Sequence, residues 1–129
     1  ISIVQVPFTV RVERNAQKDY DIQLSGCGTD YRDPLTVMRI FVSNNSNGGI
    51  TYSSKVYDQL INDSREKDAG DVTKRFSNFI QAENELVNKD TVIAPIYNRS
   101  LAILQNKQVK DLSWHPFGPV YSLKTAYKE

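Results

Sequence analysis

One cysteine and one histidine in 129 residues remove most of the chemistry a domain of this size can carry. A single cysteine excludes an internal disulfide and any multi-cysteine zinc site. A serine or cysteine nucleophile would have to recruit His115 as its base, and no Gly-x-Ser-x-Gly elbow is there to present a serine. Between Trp114 and Pro116, His115 reads as a packed or half-exposed side chain. The phosphate loop, the dinucleotide fingerprint, the EF-hand and the helical His-Glu-x-x-His are all missing. The sequence therefore predicts no enzyme, no cofactor and no metal.

An excess of charge is missing too. Sixteen basic and fifteen acidic residues, well mixed, leave a formal charge of +1, which gives no electrostatic reason to expect nucleic acid. No apolar run approaches the roughly 20 residues that span a bilayer as a helix. Leu24-Ser25-Gly26-Cys27 matches the short cleavage pattern of bacterial lipoproteins, but that pattern must follow a continuous apolar segment. Here Arg11 to Asp19 are mostly charged or polar, so Cys27 is read as a small residue at a strand end. The chain opens on Ile1-Ser2-Ile3-Val4-Gln5-Val6, a strand pattern already under way with no initiator methionine, and a longer parent protein is expected.

What is present is one domain's worth of ordinary globular sequence, 40% hydrophobic and 24% charged. The pattern along it predicts strand, helix, strand over Ile1 to Val6, Phe8 to Ala16 and Tyr20 to Leu24, the helix carrying Phe8, Val12 and Ala16 at intervals of four. Such a unit normally pairs its strands in parallel through a right-handed crossover, so the fold class is α/β. Leu35 to Val42 predicts a short apolar helix, and Ser43 to Gly49 a polar loop. Ser53 or Ser54 can cap the next helix, with Val56, Tyr57, Leu60 and Ile61 on one stripe. Gly70 ends it, and Asp71 can cap a third helix to about Asn88 whose Val72, Phe76, Phe79, Ile80, Leu86 and Val87 are expected in the core. Thr91 to Tyr97 reads as a strand demoted to an edge at Pro95, Leu101 to Leu104 as another, and Val120 to Leu123 as a last one.

The stretch with the character of a site is Tyr20 to Pro34. Tyr20, Ile22 and Leu24 alternate with polar neighbours, the run empties into Gly26, Cys27 and Gly28, and Asp30 follows. Two glycines allow another backbone to come close, and a strand end beside a carboxylate can hold a ligand that is itself a backbone ending in an ammonium. The same residues also read as an ordinary strand-to-helix connection, with Asp33 capping a helix that begins at Pro34.

Taken in order, these elements resemble the C-terminal part of the extracytoplasmic solute-binding proteins that serve oligopeptide and dipeptide ABC transporters. The resemblance rests on Lys18 to Ile22 followed by Gly26-Cys27-Gly28-Thr29-Asp30-Tyr31-Arg32-Asp33-Pro34, which is similar to the family's strand ending at Gly-Trp and passing through Asp-Tyr to an acid and proline. Ile50-Thr51-Tyr52-Ser53 leading into Val56-Tyr57-Asp58-Gln59-Leu60-Ile61, then Ala82 to Val87 and Val92-Ile93-Ala94-Pro95-Ile96-Tyr97, resemble its later helices and strand. The resemblance implies part of the C-terminal lobe of a type II periplasmic-binding-protein-like fold, in which residues 1–129 form one α/β domain and residues 106–129 run toward a missing N-terminal lobe. It implies a peptide ligand whose backbone pairs with Gly26, Cys27 and Gly28 and whose α-ammonium is accepted by Asp30. It further implies permease subunits of an ABC transporter as partners, and an extracytoplasmic location in the periplasm or as a cell-surface lipoprotein. Cys27 stands where the family has tryptophan, which removes an aromatic wall from the expected pocket. Related proteins take other solutes, a pheromone, a metal chelate, haem or a sugar, and a surface interaction module is the reading from another class.

Overall fold

A computed structural model of the chain describes residues 2–45 and 50–129. Among the described residues four α-helices come first: α1 Phe8–Gln17, α2 Leu35–Met38, α3 Lys55–Arg65 and α4 Val72–Asn84. Four two-residue strands follow: β1 Val109–Lys110, β2 Ser113–Trp114, β3 Tyr121–Ser122 and β4 Tyr127–Lys128. A 3-10 turn, Arg39–Phe41, prolongs α2, and a π turn, Glu85–Lys89, prolongs α4.

The helix boundaries follow from local chemistry. The Ser54 side chain accepts from the Tyr57 N–H at 3.3 Å, and Asp71 Oδ1 from the Lys74 N–H at 3.1 Å, so each supplies a partner for a backbone donor that the first helical turn leaves open. Asp33 does the same for α2, its Oδ1 accepting from the Leu35 N–H at 2.9 Å with Pro34 beginning the turn. α1 closes at Lys18, whose φ of 58° is a left-handed cap.

The core lies where α3 and α4 cross the segment from Leu35 to Val42. Phe41, Tyr57, Ile61, Phe79, Ala82 and Leu86 are buried, with Leu35, Met38, Leu60, Val92 and Ile93 packed around them. Tyr57 is enclosed without loss because its hydroxyl donates to the Met38 carbonyl at 2.7 Å. The expected core of α4 divides in two: Phe79 and Leu86 are buried, whereas Val72, Phe76 and Ile80 form a separate stripe that is 48% to 69% exposed. The i, i+3, i+7 row of Phe79, Ala82 and Leu86 takes the contact with α3, and the neighbouring i, i+4, i+8 row is turned away from it. Val56 is likewise exposed.

The expected strands differ more. Residues 2–6, Tyr20 to Leu24, Thr91 to Tyr97 and Leu101 to Leu104 join no ladder among the described residues, and no parallel pair forms there. A strand needs a neighbouring strand to satisfy its backbone, and none pairs with these segments among the described residues; Ile22 and Leu24 are 87% and 73% exposed. Ile1, the first residue of the first expected strand, and Ser46 to Gly49 of the expected polar loop lie outside the described residues. The pairs that do form are antiparallel, β1 with β4 and β2 with β3, nested as one long hairpin with Val109 opposite Lys128 and Trp114 opposite Tyr121. The expected strand at Val120 to Leu123 is thus present as β3.

Candidate functional site

Gly26, Cys27, Gly28 and Asp30 are all exposed, on a connection leading from α1 to α2. α1 holds the start of this connection by polar contacts, Arg11 Nη1 donating to Ser25 Oγ at 3.1 Å and Gln23 Nε2 to Asn15 Oδ1 at 3.4 Å. Neither Gly26 nor Gly28 has a positive φ. A Cβ added to Gly28 would meet nothing within 4 Å, and one added to Gly26 would meet only the end of the Arg99 side chain at 3.7 Å. Packing within the chain therefore gives no reason for glycine at either position, and the backbone there is open to an incoming one. Cys27 is a free, exposed thiol whose Sγ donates to the Gly28 carbonyl at 3.3 Å.

Beyond the glycines the connection is pinned. The Asp30 N–H donates to Thr36 Oγ1 at 3.3 Å, and Thr36 is buried. The Thr29 carbonyl accepts from the Gly118 N–H at 3.0 Å, so the tip of the β2–β3 hairpin rests on the residue before Asp30. The Asp30 side chain itself remains 76% exposed, with Oδ2 3.8 Å from Arg39 Nη2, a loose pair between two solvated groups. An exposed carboxylate on a fixed backbone can accept an ammonium without first giving up a strong internal bond.

Asp33, three residues on, is committed elsewhere. Arg75 Nη2 lies 2.9 Å from its Oδ1 and 2.8 Å from its Oδ2, with both side chains partly buried. Nothing in the sequence joined Arg75 to this region, because the two residues are 42 apart and a lone arginine on a helix carries no spacing signal. Gly118 was legible as a turn residue between Pro116 and Pro119 but not as a contact of Thr29.

His115 is exposed in the hairpin, its N–H donating to the Val120 carbonyl at 3.0 Å, and no hydrogen bond joins its ring to a serine or cysteine among the described residues. No group of three His, Cys, Asp or Glu side chains suited to a metal ion occurs among the described residues. None of the described helices is long and apolar enough to cross a membrane.

This framework of helices and short sheets is a fragment of the substrate-binding fold of peptide ABC transporter binding proteins. Over its whole length the chain is homologous to dipeptide- and oligopeptide-binding proteins, which are solute-binding proteins and not enzymes. It is 33% identical over 128 residues to the dipeptide-binding protein DppE of Bacillus subtilis, covering 99% of this chain and 23% of that protein. The oligopeptide ABC transporter substrate-binding domain of Bacillus anthracis superposes with a TM-score of 0.85 at 30% identity, covering 98% of this chain and 24% of that one. OppA of Listeria monocytogenes, bound to peptide, superposes with a TM-score of 0.79 at 38% identity, covering 97% of this chain and 23% of that one. The chain thus spans about a quarter of the length of these relatives. No protein-family model matches it.

Proposed function

We propose that this chain is part of a two-lobed binding protein that captures peptides outside the cytoplasmic membrane for uptake by an ABC transporter. The backbone of Gly26, Cys27 and Gly28 pairs with the extended ligand, and Asp30 accepts its α-ammonium. The observation that carries this reading is the pair of exposed glycines which neither conformation nor internal packing requires, set beside an exposed carboxylate on a pinned backbone. Backbone pairing ignores side chains, so it suits a carrier of many peptide sequences, while a charge-assisted bond at Asp30 fixes the register. Cys27 offers a small wall in place of an aromatic one and leaves room for a bulky ligand side chain. Residues 106–129 run toward the second lobe, and the membrane permease receives the ligand. The protein is held in the periplasm or at the cell surface as a lipoprotein.

The test is calorimetric titration of the full-length protein with one peptide carrying a free or an acetylated N-terminus. Tight binding that acetylation abolishes is expected. Asp30→Asn should weaken binding of the free-amine peptide by roughly 2 to 5 kcal/mol, the cost of leaving a desolvated charge unpaired. Failure of both peptides to bind would turn the reading toward another class of solute, and equal binding of both would remove Asp30 as the anchor.

A further inference from the structure

We propose that Arg75 is a positioning residue for Asp30, acting through Asp33; the inference rests on the reading of Asp30 as the ligand's ammonium acceptor. The Arg75 guanidinium is held on three sides. Its Nε donates to the Ser64 carbonyl near the end of α3 at 3.1 Å, its Cζ lies over the Phe79 ring 4.9 Å from the centroid, and Nη2 reaches both oxygens of Asp33. A guanidinium fixed in this way holds the carboxylate it pairs with through a charge-assisted hydrogen bond. From Asp33 the connection runs on by hydrogen bonds: Oδ1 accepts from the Leu35 N–H, the Asp33 carbonyl accepts from the Thr36 N–H at 3.1 Å, and Thr36 Oγ1 accepts from the Asp30 N–H. The packed α3–α4 pair thereby sets the first turn of α2, and that turn sets the backbone of Asp30.

Arg75 also removes a competitor. Two carboxylates three residues apart could each attract an ammonium, and the ligand's register would then be split between them. With Asp33 neutralised by a partly buried cation at hydrogen-bond distance, Asp30 is the acid of the two left for the ligand.

The experiment measures, in the full-length protein, the ratio of dissociation constants for acetylated and free-amine forms of the same peptide. A residue needed only for folding weakens both peptides alike and leaves the ratio unchanged; a residue that positions the ammonium acceptor lowers it. Arg75→Gln, which loosens the turn and frees Asp33 to compete, is expected to lower the ratio about tenfold; Asp33→Asn, which loosens the turn without leaving a competing carboxylate, lowers it less, and the double variant matches Asp33→Asn, as for members of one network. Asp33→Asn retains a side chain able to cap α2, so it supplies the reading if Arg75→Gln does not fold. A wild-type ratio well above one that both variants preserve overturns the role of Arg75 alone. A wild-type ratio near one rejects Asp30 as the anchor, and the inference falls with it.

Discussion

Gly118 is the residue whose identity the conformation most plainly demands. Its φ is +70°, and an added Cβ would stand 3.1 Å from the Asp30 carbonyl oxygen, so alanine there is strained in conformation and crowded against the loop that carries the candidate anchor. Gly118→Ala should destabilise the folded chain by about 1 to 2 kcal/mol, read as a lowered thermal midpoint. An unchanged midpoint would show that the hairpin tip does not rest on Thr29 in solution. Tyr52 gives a second test at this scale. Burial, with the hydrogen bond its hydroxyl donates to Asp90 at 2.7 Å, pushes its pKa up to about 12. A phenol whose folded pKa is raised contributes stability that is complete below its unfolded value near 10 and fades as pH climbs through 12. Stability should hold to about pH 10 and then fall, and Tyr52→Phe should flatten that decline; an identical alkaline limb in the variant would assign it elsewhere, Tyr57 being raised by burial as well. Residues at this scale were unevenly legible. Gly26, Gly28 and Asp30 stood out because their types are unusual after a strand pattern, whereas the partners that hold the loop, Thr36, Arg75 and Gly118, are brought to it by tertiary packing.

The helices were legible because what makes them is local. Asp71 and Asp33 could be named as caps from their positions alone, and the third cap narrowed to Ser53 or Ser54; Asp71, Asp33 and Ser54 each accept a backbone N–H in the structure. Ser54→Ala is expected to cost about 1 kcal/mol in a denaturant titration, with the helix still formed. Asp71 adds a pH effect, since its hydrogen bonds from Lys74 lower its pKa, and a carboxylate so depressed loses its contribution as pH falls through the folded value. Which apolar row a helix buries was less legible than the helix itself. Phe76 and Phe79 share α4 at adjacent angles, and only the position of α3 decides that Phe79 is 2% exposed and Phe76 48%. Phe79→Ala should therefore cost about 3 to 5 kcal/mol, and Phe76→Ala much less. Equal losses would mean that the two rows are buried alike. Strands were the least legible elements: alternation marks a strand but does not name its neighbour, and Tyr20 to Leu24 alternates without one among the described residues.

At the scale of the molecule, surface area is the informative quantity. The chain exposes 10499 Å², whereas a compact monomer of this mass would expose roughly 6,900 Å². The excess is carried by extended segments whose apolar residues, Ile3, Ile22, Ile96, Leu101 and Leu104 among them, face solvent, while α3 and α4 enclose a well-packed core. A chain with one compact region and long uncovered arms concentrates its stability in the compact region and opens most readily in the arms. The candidate site belongs to an arm at one end, where Gly26 to Gly28 join no ladder among the described residues, and to the core at the other, where Asp33 meets Arg75. Hence the isolated 129-residue chain should give a cooperative unfolding transition from its helices yet bind peptide weakly or not at all, because a ligand held on one open face lacks the burial that a cleft provides. The full-length protein should bind the same peptide tightly, and calorimetry on the two side by side makes the comparison. Equal affinity in both would mean that the Gly26 to Asp30 segment is preorganised on its own, and that a second lobe adds little to the grip on the ligand.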